Sequence, residues 1–423
     1  MSFKNLDLPR EILQALDEAG YVTPTPIQEQ AIPEVLKGSD LRASAQTGTG
    51  KTAAFMVPSL ARLVKPAKTK GIGPRILVLV PTRELAMQVA KETIKYSKFL
   101  PKTKTVCIFG GASYQLQNRD LSRPFEILVG TPGRIIDHME RGRLDLSRVE
   151  VVILDEADRM LDMGFIKPVE KICAATPKER QTLLFSATLK GAVLALSKRL
   201  LTDPVEISVS MQMTNQESIE QHLYPVDNLA HKYNLLEHLL QDSKLEQAII
   251  FTATKRHADE LVDVLHERGI DSSALHGGMH QNKRTKTIKR LRSGEIRVLV
   301  ATDVAARGLD VLTISHVINF DLPMSSEDYV HRIGRTGRAG ETGVAHSFAG
   351  RNDFRTVKDI EKFTGQKMNL AAIPGMEAKF DFTVPPKAGE RERPKKSFGK
   401  PYGNRNNDKK KGFFSRRRTQ KTR

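Results

Sequence analysis

The chain has 423 residues, 39% of them hydrophobic, and a formal net charge of +18. That length is too great for one ordinary domain core, and the hydrophobic content excludes a chain that is disordered throughout. No apolar run approaches the length of a membrane span, and the two cysteines, Cys107 and Cys173, are predicted to be buried free thiols. We therefore predict a cytoplasmic protein with two domains.

Short β-rich runs alternate with helical patterns through the first half of the chain. Several of these runs are almost continuously apolar, which is typical of a parallel sheet covered on both faces. Helical spacing appears between them, as in 84–99 and 167–175. The pattern predicts a doubly wound α/β domain. Its expected strands are 41–44, 76–80, 105–109, 126–130, 151–155 and 182–186.

A polar stretch without apolar periodicity, 210–218, interrupts the pattern and is predicted to be a linker. The α/β alternation then resumes, which predicts a second sheet with strands 219–224, 247–251, 272–275, 297–301, 316–320 and 344–348. The expected organisation is therefore an N-terminal domain 1–209, the linker, a C-terminal domain 219–374 and a tail 375–423.

The predicted tail is strongly basic. Residues 385–423 carry eight Lys and seven Arg against three acidic residues, a net charge of +12, and they include four aromatic side chains. Such a composition favours disorder and a polyanionic partner. We interpret the tail as a nucleic-acid tether that does not read sequence, since aromatic rings can stack on any base. The alternative is a tail that only increases solubility.

A glycine-rich loop follows the first predicted strand and opens a helix predicted over 53–63. In that context, Gly48 and Gly50 let backbone N–H groups approach phosphates closely. Lys51 can reach the β- and γ-phosphates, and the Thr52 hydroxyl can ligate Mg²⁺. The alternative is a simple glycine-rich turn. The whole predicted loop comprises Ala45, Gln46, Thr47, Gly48, Thr49, Gly50, Lys51 and Thr52.

Two acidic residues end the apolar strand 151–154. A carboxylate at the carboxyl end of a parallel strand faces the ligand crevice, which places Asp155 to hold Mg²⁺, directly or through water. Glu156 is then able to orient and deprotonate an attacking water. Together with the loop, this pair predicts a site for a nucleoside triphosphate and Mg²⁺.

The sequence 155–158, Asp-Glu-Ala-Asp, and the motifs around it resemble the DEAD-box RNA helicases of the bacterial auxiliary type. The resemblance runs from Phe3 to about Phe348 and implies two tandem RecA-like domains. Its motifs are Gly20–Tyr21 with 24–28, the loop 45–52, 81–86, 110–111, 131–134, 155–158, 186–188, 276–277 with Gln281 and Arg284, 301–310 and 331–338.

The resemblance implies a role for each motif. Gln28 would read the adenine edge, Tyr21 and the upstream Phe3 would belong to the same adenine-reading segment, in which an aromatic ring can cover the base, and Asp310 would contact the ribose. Arg335 and Arg338 would stabilise charge on the γ-phosphoryl group. Coupling between the nucleotide and RNA would involve Asp158, Ser186, Thr188 and His331. The implied RNA contacts are Thr82, Arg83, Gly111, Thr131, Arg134, Gly277 and Thr302, residue types that suit the sugar–phosphate backbone.

These residues predict an RNA-stimulated ATPase that unwinds short duplexes or remodels ribonucleoprotein, with domain closure linking RNA binding to hydrolysis. An ATP-gated RNA clamp and, more weakly, a DNA helicase are the alternatives. The set of Lys51, Asp155, Glu156, Arg335 and Arg338 favours turnover over a static clamp. The expected partners are single-stranded RNA and short RNA duplexes, as well as ribosomal precursors or an RNA-decay assembly, with the protein acting as a monomer.

Overall fold

A computed structural model describes residues 2–45, 48–209, 219–243, 245–306, 314–337 and 342–385 of the chain.

The first of two parallel sheets holds seven strands. The first sheet has the order β3-β4-β2-β5-β6-β1-β7 and every pairing in it is parallel. Its strands are β1 Leu41–Ser44, β2 Ile76–Leu79, β3 Thr105–Ile108, β4 Ile127–Gly130, β5 Val151–Leu154, β6 Gln181–Ser186 and β7 Val205–Ser208.

The second sheet repeats the topology of the first. Its order is β10-β11-β9-β12-β13-β8-β14, which is the first order with seven added to each strand number. This likeness has no counterpart in a visible sequence repeat. The strands are β8 Ile219–Pro225, β9 Ala248–Phe251, β10 Ser272–Leu275, β11 Val298–Ala301, β12 His316–Asn319, β13 Gly343–Ala349 and β14 Asn369–Leu370.

Helices cover both faces of each sheet. Around the first sheet they are Arg10–Glu18, Pro26–Lys37, Lys51–Ala61, Arg83–Tyr96, Tyr114–Leu121, Pro132–Glu140, Ala157–Asp162, Ile166–Ala174 and Gly191–Leu200. Around the second they are Leu229–Leu240, Lys255–Glu267, Gln281–Arg292, Asp303–Ala306, Ser326–Ile333 and Phe354–Thr364. Short 3₁₀ turns occur at Phe3–Asn5, Arg62–Val64 and Arg351–Asp353.

The central strands are buried on both sides. In β2, Ile76 and Val78 join one hydrophobic cluster, whereas Leu77 and Leu79 join another on the opposite face. This alternation explains the continuous apolar runs, because each successive side chain enters a different core. The predicted α/β class with two doubly wound sheets is confirmed.

All twelve predicted strands occur, with bounds that differ by one residue at most, but two strands were missed. Both β7 and β14 lie at sheet edges. The burial of β7 is partial, and β14 is two exposed residues long. An edge strand with little burial leaves little hydrophobic pattern to detect.

The start of the predicted tail is corrected by the structure. Residues 375–384 were expected to be disordered, yet Phe382 is 4% exposed and belongs to a hydrophobic cluster of the second domain. Phe380 also packs against that cluster, and Met376 against a neighbouring one. The predicted disorder of 386–423 and the predicted linker 210–218 lie outside the described residues.

The cysteines are free thiols, as predicted, but only one of them is fully buried. Both Cys107 and Cys173 are free, the first half-buried and the second buried. Burial raises the pKa of the Cys107 thiol to about 12 and that of Cys173 to about 11. Among the described helices, none combines the length and the apolar character that crossing a membrane requires.

Three stacked histidines link β8, β13 and β12. The ring of His346 lies 5.5 Å from that of His222 and 5.7 Å from that of His316, nearly parallel to both. Burial, with help from the two neighbouring rings, lowers the pKa of His346 to about 3, and Asp242 opposes the shift. Nδ1 of His346 has no hydrogen-bond partner in the described structure. The folded chain therefore keeps this ring neutral where an unfolded chain protonates it.

We expect this ring to make the second domain sensitive to acid. Above about pH 6.5 both states are neutral at this position, so it contributes no pH dependence. Below that pH only the unfolded state gains the proton, so the free energy of unfolding falls, by up to about 1.4 kcal/mol per pH unit. His346→Leu should therefore flatten the decline of the urea midpoint between pH 7 and pH 5. An equal decline in the variant and the native chain would contradict this assignment.

Candidate nucleotide and RNA sites

The predicted site residues divide between two halves of one sheet edge. The phosphate loop follows β1, Asp155 follows β5 and Ser186 is the last residue of β6, and these strands are neighbours in the order β5-β6-β1. The predicted RNA contacts of the first domain follow the other three neighbours, β3, β4 and β2. Since parallel strands end at the same edge, the fold gathers each group at its own half.

The second domain repeats this division. Gly277 lies shortly after β10 and Thr302 directly follows β11, and these strands are neighbours. The helix Ser326–Ile333, which carries His331, comes instead after β12. The RNA candidates of this domain thus occupy the half that corresponds to β3 and β4 in the first domain.

Gln28 joins the phosphate loop to the segment before it. Its Oε1 accepts a hydrogen bond from the Thr25 N–H at 3.0 Å, and its Nε2 donates to the Gly50 carbonyl, also at 3.0 Å. A Cβ at Gly50 would lie 2.3 Å from that nitrogen, and Gly50 has a φ of 90°, so only glycine fits there. Each amide atom of Gln28 keeps one further bonding position, because the oxygen has two lone pairs and the nitrogen two hydrogens.

We expect Gln28→Ala to abolish a preference for ATP over GTP. The change removes the amide oxygen and the amide nitrogen that would pair with the adenine edge. Gln28 is 2% exposed, and each polar group of the base that is left unpaired in such a buried place costs about 1–3 kcal/mol. The measurement is kcat/KM for both nucleotides. Gln28→Glu is the matched control, because it keeps the acceptor for Thr25 and loses the donor. Equal use of ATP and GTP by the native chain would disprove adenine selection here.

Asp155 is a buried carboxyl group that lacks a full counter-charge. It is 3% exposed, and its Oδ1 accepts a hydrogen bond from the Glu156 N–H at 2.9 Å. Burial raises the pKa of Asp155 to about 6, although Lys51 opposes the shift. A bound cation would favour the ionised form, which is the chemistry expected of a metal ligand.

Glu156 stands in a strained conformation at the next position. It has a φ of 52° and a ψ of 50°, in the left-handed region that residues other than glycine seldom adopt. The side chain is buried, its Oε2 lies 3.4 Å from Nη1 of Arg159, and this oxygen has no hydrogen-bond partner in the described structure. Strain of this kind costs about 1–3 kcal/mol and clusters at functional sites.

Asp158 connects this strand end to the next. Its Oδ2 accepts a hydrogen bond from the Ala187 N–H at 3.2 Å. On the other side, the Ser44 hydroxyl donates to the Ala187 carbonyl at 3.1 Å, and the Thr188 N–H donates to the Ser186 hydroxyl at 3.2 Å. The segment 186–188, which is predicted to couple nucleotide binding to RNA binding, therefore contacts both the acidic motif 155–158 and β1, the strand that leads into the phosphate loop.

Arg83 and Gly111 are brought together on the RNA half. A Cβ on Gly111 would lie 2.4 Å from Nη1 of Arg83, and Gly111 has a φ of 82°. The neighbouring Thr82 acts as a helix cap, since its hydroxyl accepts from the Leu85 N–H at 3.3 Å. Thr131 also precedes a helix, yet its hydroxyl makes no capping bond.

Arg134 is held by an aromatic ring that the sequence did not reveal. Its guanidinium lies 4.0 Å from the centre of the Tyr114 ring and donates to the Ala112 carbonyl and to Gln117. The Tyr114 hydroxyl donates in turn to Asp137. The ring contact and the two hydrogen bonds fix the direction of one predicted RNA-binding cation.

A buried ion pair joins the two α/β domains on the same half. Glu84 and Arg284 are each almost fully buried, and a guanidinium nitrogen lies 2.8 Å from the Glu84 carboxylate. Gln281 accepts a hydrogen bond from Arg83 at 3.2 Å. The predicted RNA-binding surfaces of the two domains thus meet at this contact.

Arg332 and Arg335 have different surroundings. Arg332 makes a bidentate pair with Asp303, at 2.6 and 2.8 Å, and its guanidinium lies over the Phe251 ring, so it is structural. Arg335 is 4% exposed, and its Nε donates to the His331 carbonyl. These residues line a small pocket with Asp328.

The two predicted aromatic residues pack inside the first domain. Phe3 is 3% exposed and meets the edge of Tyr21, whose hydroxyl bonds that of Tyr96, so both rings pack within the first domain. Four candidates lie outside the described residues, namely Gln46, Thr47, Asp310 and Arg338.

The sequence of this chain matches known families of helicases. Residues 25–196 match a family model described as DEAD/DEAH box helicase, and 231–340 match one described as Helicase conserved C-terminal domain. The chain is 43% identical to the ATP-dependent RNA helicase SrmB of Haemophilus influenzae, over 92% of this chain and 88% of SrmB.

Two solved structures share the fold over both domains. S. cerevisiae Dbp5 bound to RNA and ADP BeF3 aligns with a TM-score of 0.78 and 34% identity, over 88% of this chain and 95% of that one. Mss116p bound to ssRNA and AMP-PNP aligns with a TM-score of 0.79 and 28% identity, over 88% of this chain and 80% of the other.

Proposed function

The chain belongs to the DEAD-box family of ATP-dependent RNA helicases, and we propose that closure of its two domains on RNA is what permits ATP hydrolysis. The observation that carries this proposal is the buried Glu84–Arg284 pair beside the predicted RNA contacts. Glu84 comes from the first domain and Arg284 from the second, and the two side chains are buried where the domains touch. RNA that spans the two surfaces would favour that arrangement and so bring the second-domain arginines towards the nucleotide.

ATP and Mg²⁺ would bind at the carboxyl ends of the strands of the first sheet, and the second domain would add an arginine. The loop 48–52 would bind the phosphates, and Thr52 and Asp155 would hold Mg²⁺, which when bound neutralises phosphate charge. The buried and poorly compensated carboxyl group of Asp155 supports this assignment. Glu156 would take the proton of the attacking water, and Arg335 would stabilise the charge that develops on the γ-phosphoryl group.

Domain closure is testable at the ion pair. We expect Arg284→Met to raise the RNA concentration for half-maximal ATPase stimulation at least about tenfold, because closure would bury Glu84 without its partner. ATPase without RNA should change little. Glu84→Gln combined with Arg284→Met should recover part of the loss, since neither charge is then buried.

Arg290→Met is the matched control, because Arg290 lies on the same helix and pairs with the exposed Glu295. An equal effect of the two single variants would contradict a role for the buried pair in closure.

The predicted domain bounds, the monomeric state, the cytoplasmic location and the action on ribosomal precursors or in RNA decay stay predictions.

A further inference from the structure

The helix Gln281–Arg292 is unusually basic. Its twelve residues include six cations and no carboxylate. These are Lys283, Arg284, Lys286, Lys289, Arg290 and Arg292. Cationic runs commonly serve only to solvate a surface, so the partners of each side chain decide whether this helix offers charge to a ligand.

Three of these six cations already take part in an interaction. Arg284 pairs with Glu84 across the domain contact, Arg290 pairs with Glu295 at 3.4 Å, and Arg292 is not free either. By contrast Lys283, Lys286 and Lys289 are exposed, and no residue that the structure describes forms an ion pair with them.

The three lysines form a row along the helix. They are spaced by three residues, so each Cα atom is displaced by about 4.5 Å along the helix axis from the one before. Buried residues occupy the opposite face, where Thr287 and Leu291 pack towards the sheet. The row therefore faces solvent.

The row begins at the predicted RNA surface. Gln281, the first residue of the helix, contacts Arg83 of the first domain, and Gly277 lies four residues earlier. The amino end of a helix carries partial positive charge and exposed N–H groups, which attract phosphate. From that end the lysines lead away from the domain contact along the second domain.

We propose that Lys283, Lys286 and Lys289 bind phosphates of RNA that continues beyond the segment held between the two domains. The inference rests on the proposed function and extends it, since it gives the second domain an additional RNA track. Lysine ammonium groups act as point charges on phosphate, so the track would not read sequence. It would add affinity for long RNA and leave the core site unchanged.

The test compares two triple variants with the same change of charge. One replaces Lys283, Lys286 and Lys289 by Gln. The control replaces Lys362, Lys367 and Lys379, which are also exposed and lie in or near elements packed at the β8–β14 end of the second sheet. The basic helix packs instead near β10, at the opposite edge. RNA affinity is measured against salt for oligonucleotides of increasing length, with the full chain.

We expect the track variant to lose the gain in affinity that the native chain shows as RNA lengthens. Its log–log salt slope on long single strands should fall by about 2, because each lost phosphate contact removes about 0.7. On an RNA just long enough to saturate ATPase stimulation, the track variant, the control and the native chain should bind alike.

Two outcomes overturn the inference. Equal slopes and affinities for the two triple variants on long RNA would show that the row contributes only through net charge or not at all. An equal loss on short and long RNA would place the lysines within the core site. Failure of RNA to stimulate the native ATPase would instead contradict the proposed function, so the two failures are distinguishable.

Discussion

Glu156→Gln should reduce the RNA-stimulated ATPase rate by about 10²–10⁴-fold while ATP and RNA still bind. The amide has the shape of the carboxylate but cannot accept a proton from water. The buried position, the left-handed backbone and the Oε2 without a hydrogen-bond partner all indicate a side chain held for a purpose other than packing. The rate is measured at saturating RNA and ATP, and binding is measured separately with a fluorescent nucleotide.

Glu170→Gln provides the control for this prediction, because Glu170 lies in the same domain and pairs with Arg199 on the surface. It should hydrolyse ATP at the native rate. A Glu156→Gln chain with near-native turnover would remove Glu156 as the general base. Loss of nucleotide binding together with turnover would point instead to a positioning role.

Arg335→Lys should lower the rate still further, by about 10³–10⁵-fold, if Arg335 stabilises the transferring γ-phosphoryl group. Lysine keeps the charge but not the planar fork that donates two parallel hydrogen bonds. Arg335 comes from the second domain, so the loss should appear in kcat at saturating RNA rather than in ATP binding by the first domain. Single-turnover hydrolysis measures that step directly.

Arg332→Lys is the informative comparison. Arg332 is three residues away, but it is committed to Asp303 and Phe251 within the second domain. Its replacement should lower the thermal midpoint, because it disrupts a buried bidentate pair. If instead Arg332→Lys lost kcat and Arg335→Lys lost stability, the two roles would be exchanged.

The strands of both sheets were predictable, because central strands such as β2 and β11 are apolar on both faces and end at recognisable turns. The edge strands β7 and β14 and the segment 375–384 were not. Phe382 is apolar, but it lies in a stretch without helical or strand periodicity, and only its packing on the second domain orders it. Such contacts depend on the assembled fold, which local pattern does not report.

The same distinction applies to the site. The motif residues were identifiable because their spacing and order are local properties of the sequence. The Glu84–Arg284 pair joins residues 200 positions apart, and the Tyr114–Arg134 contact joins residues of two different helices. The backbone strain at Glu156 was equally invisible, because no residue type there requires a positive φ.

We propose that RNA binding closes the two domains and so permits the ATP hydrolysis that separates RNA strands. The most direct measurement follows ATP hydrolysis and strand separation together, on short RNA and DNA duplexes of the same sequence. We expect RNA to stimulate hydrolysis, the RNA duplex to separate only with ATP, and the DNA duplex to do neither. Hydrolysis that is indifferent to RNA, or equal action on the DNA duplex, would contradict the claim.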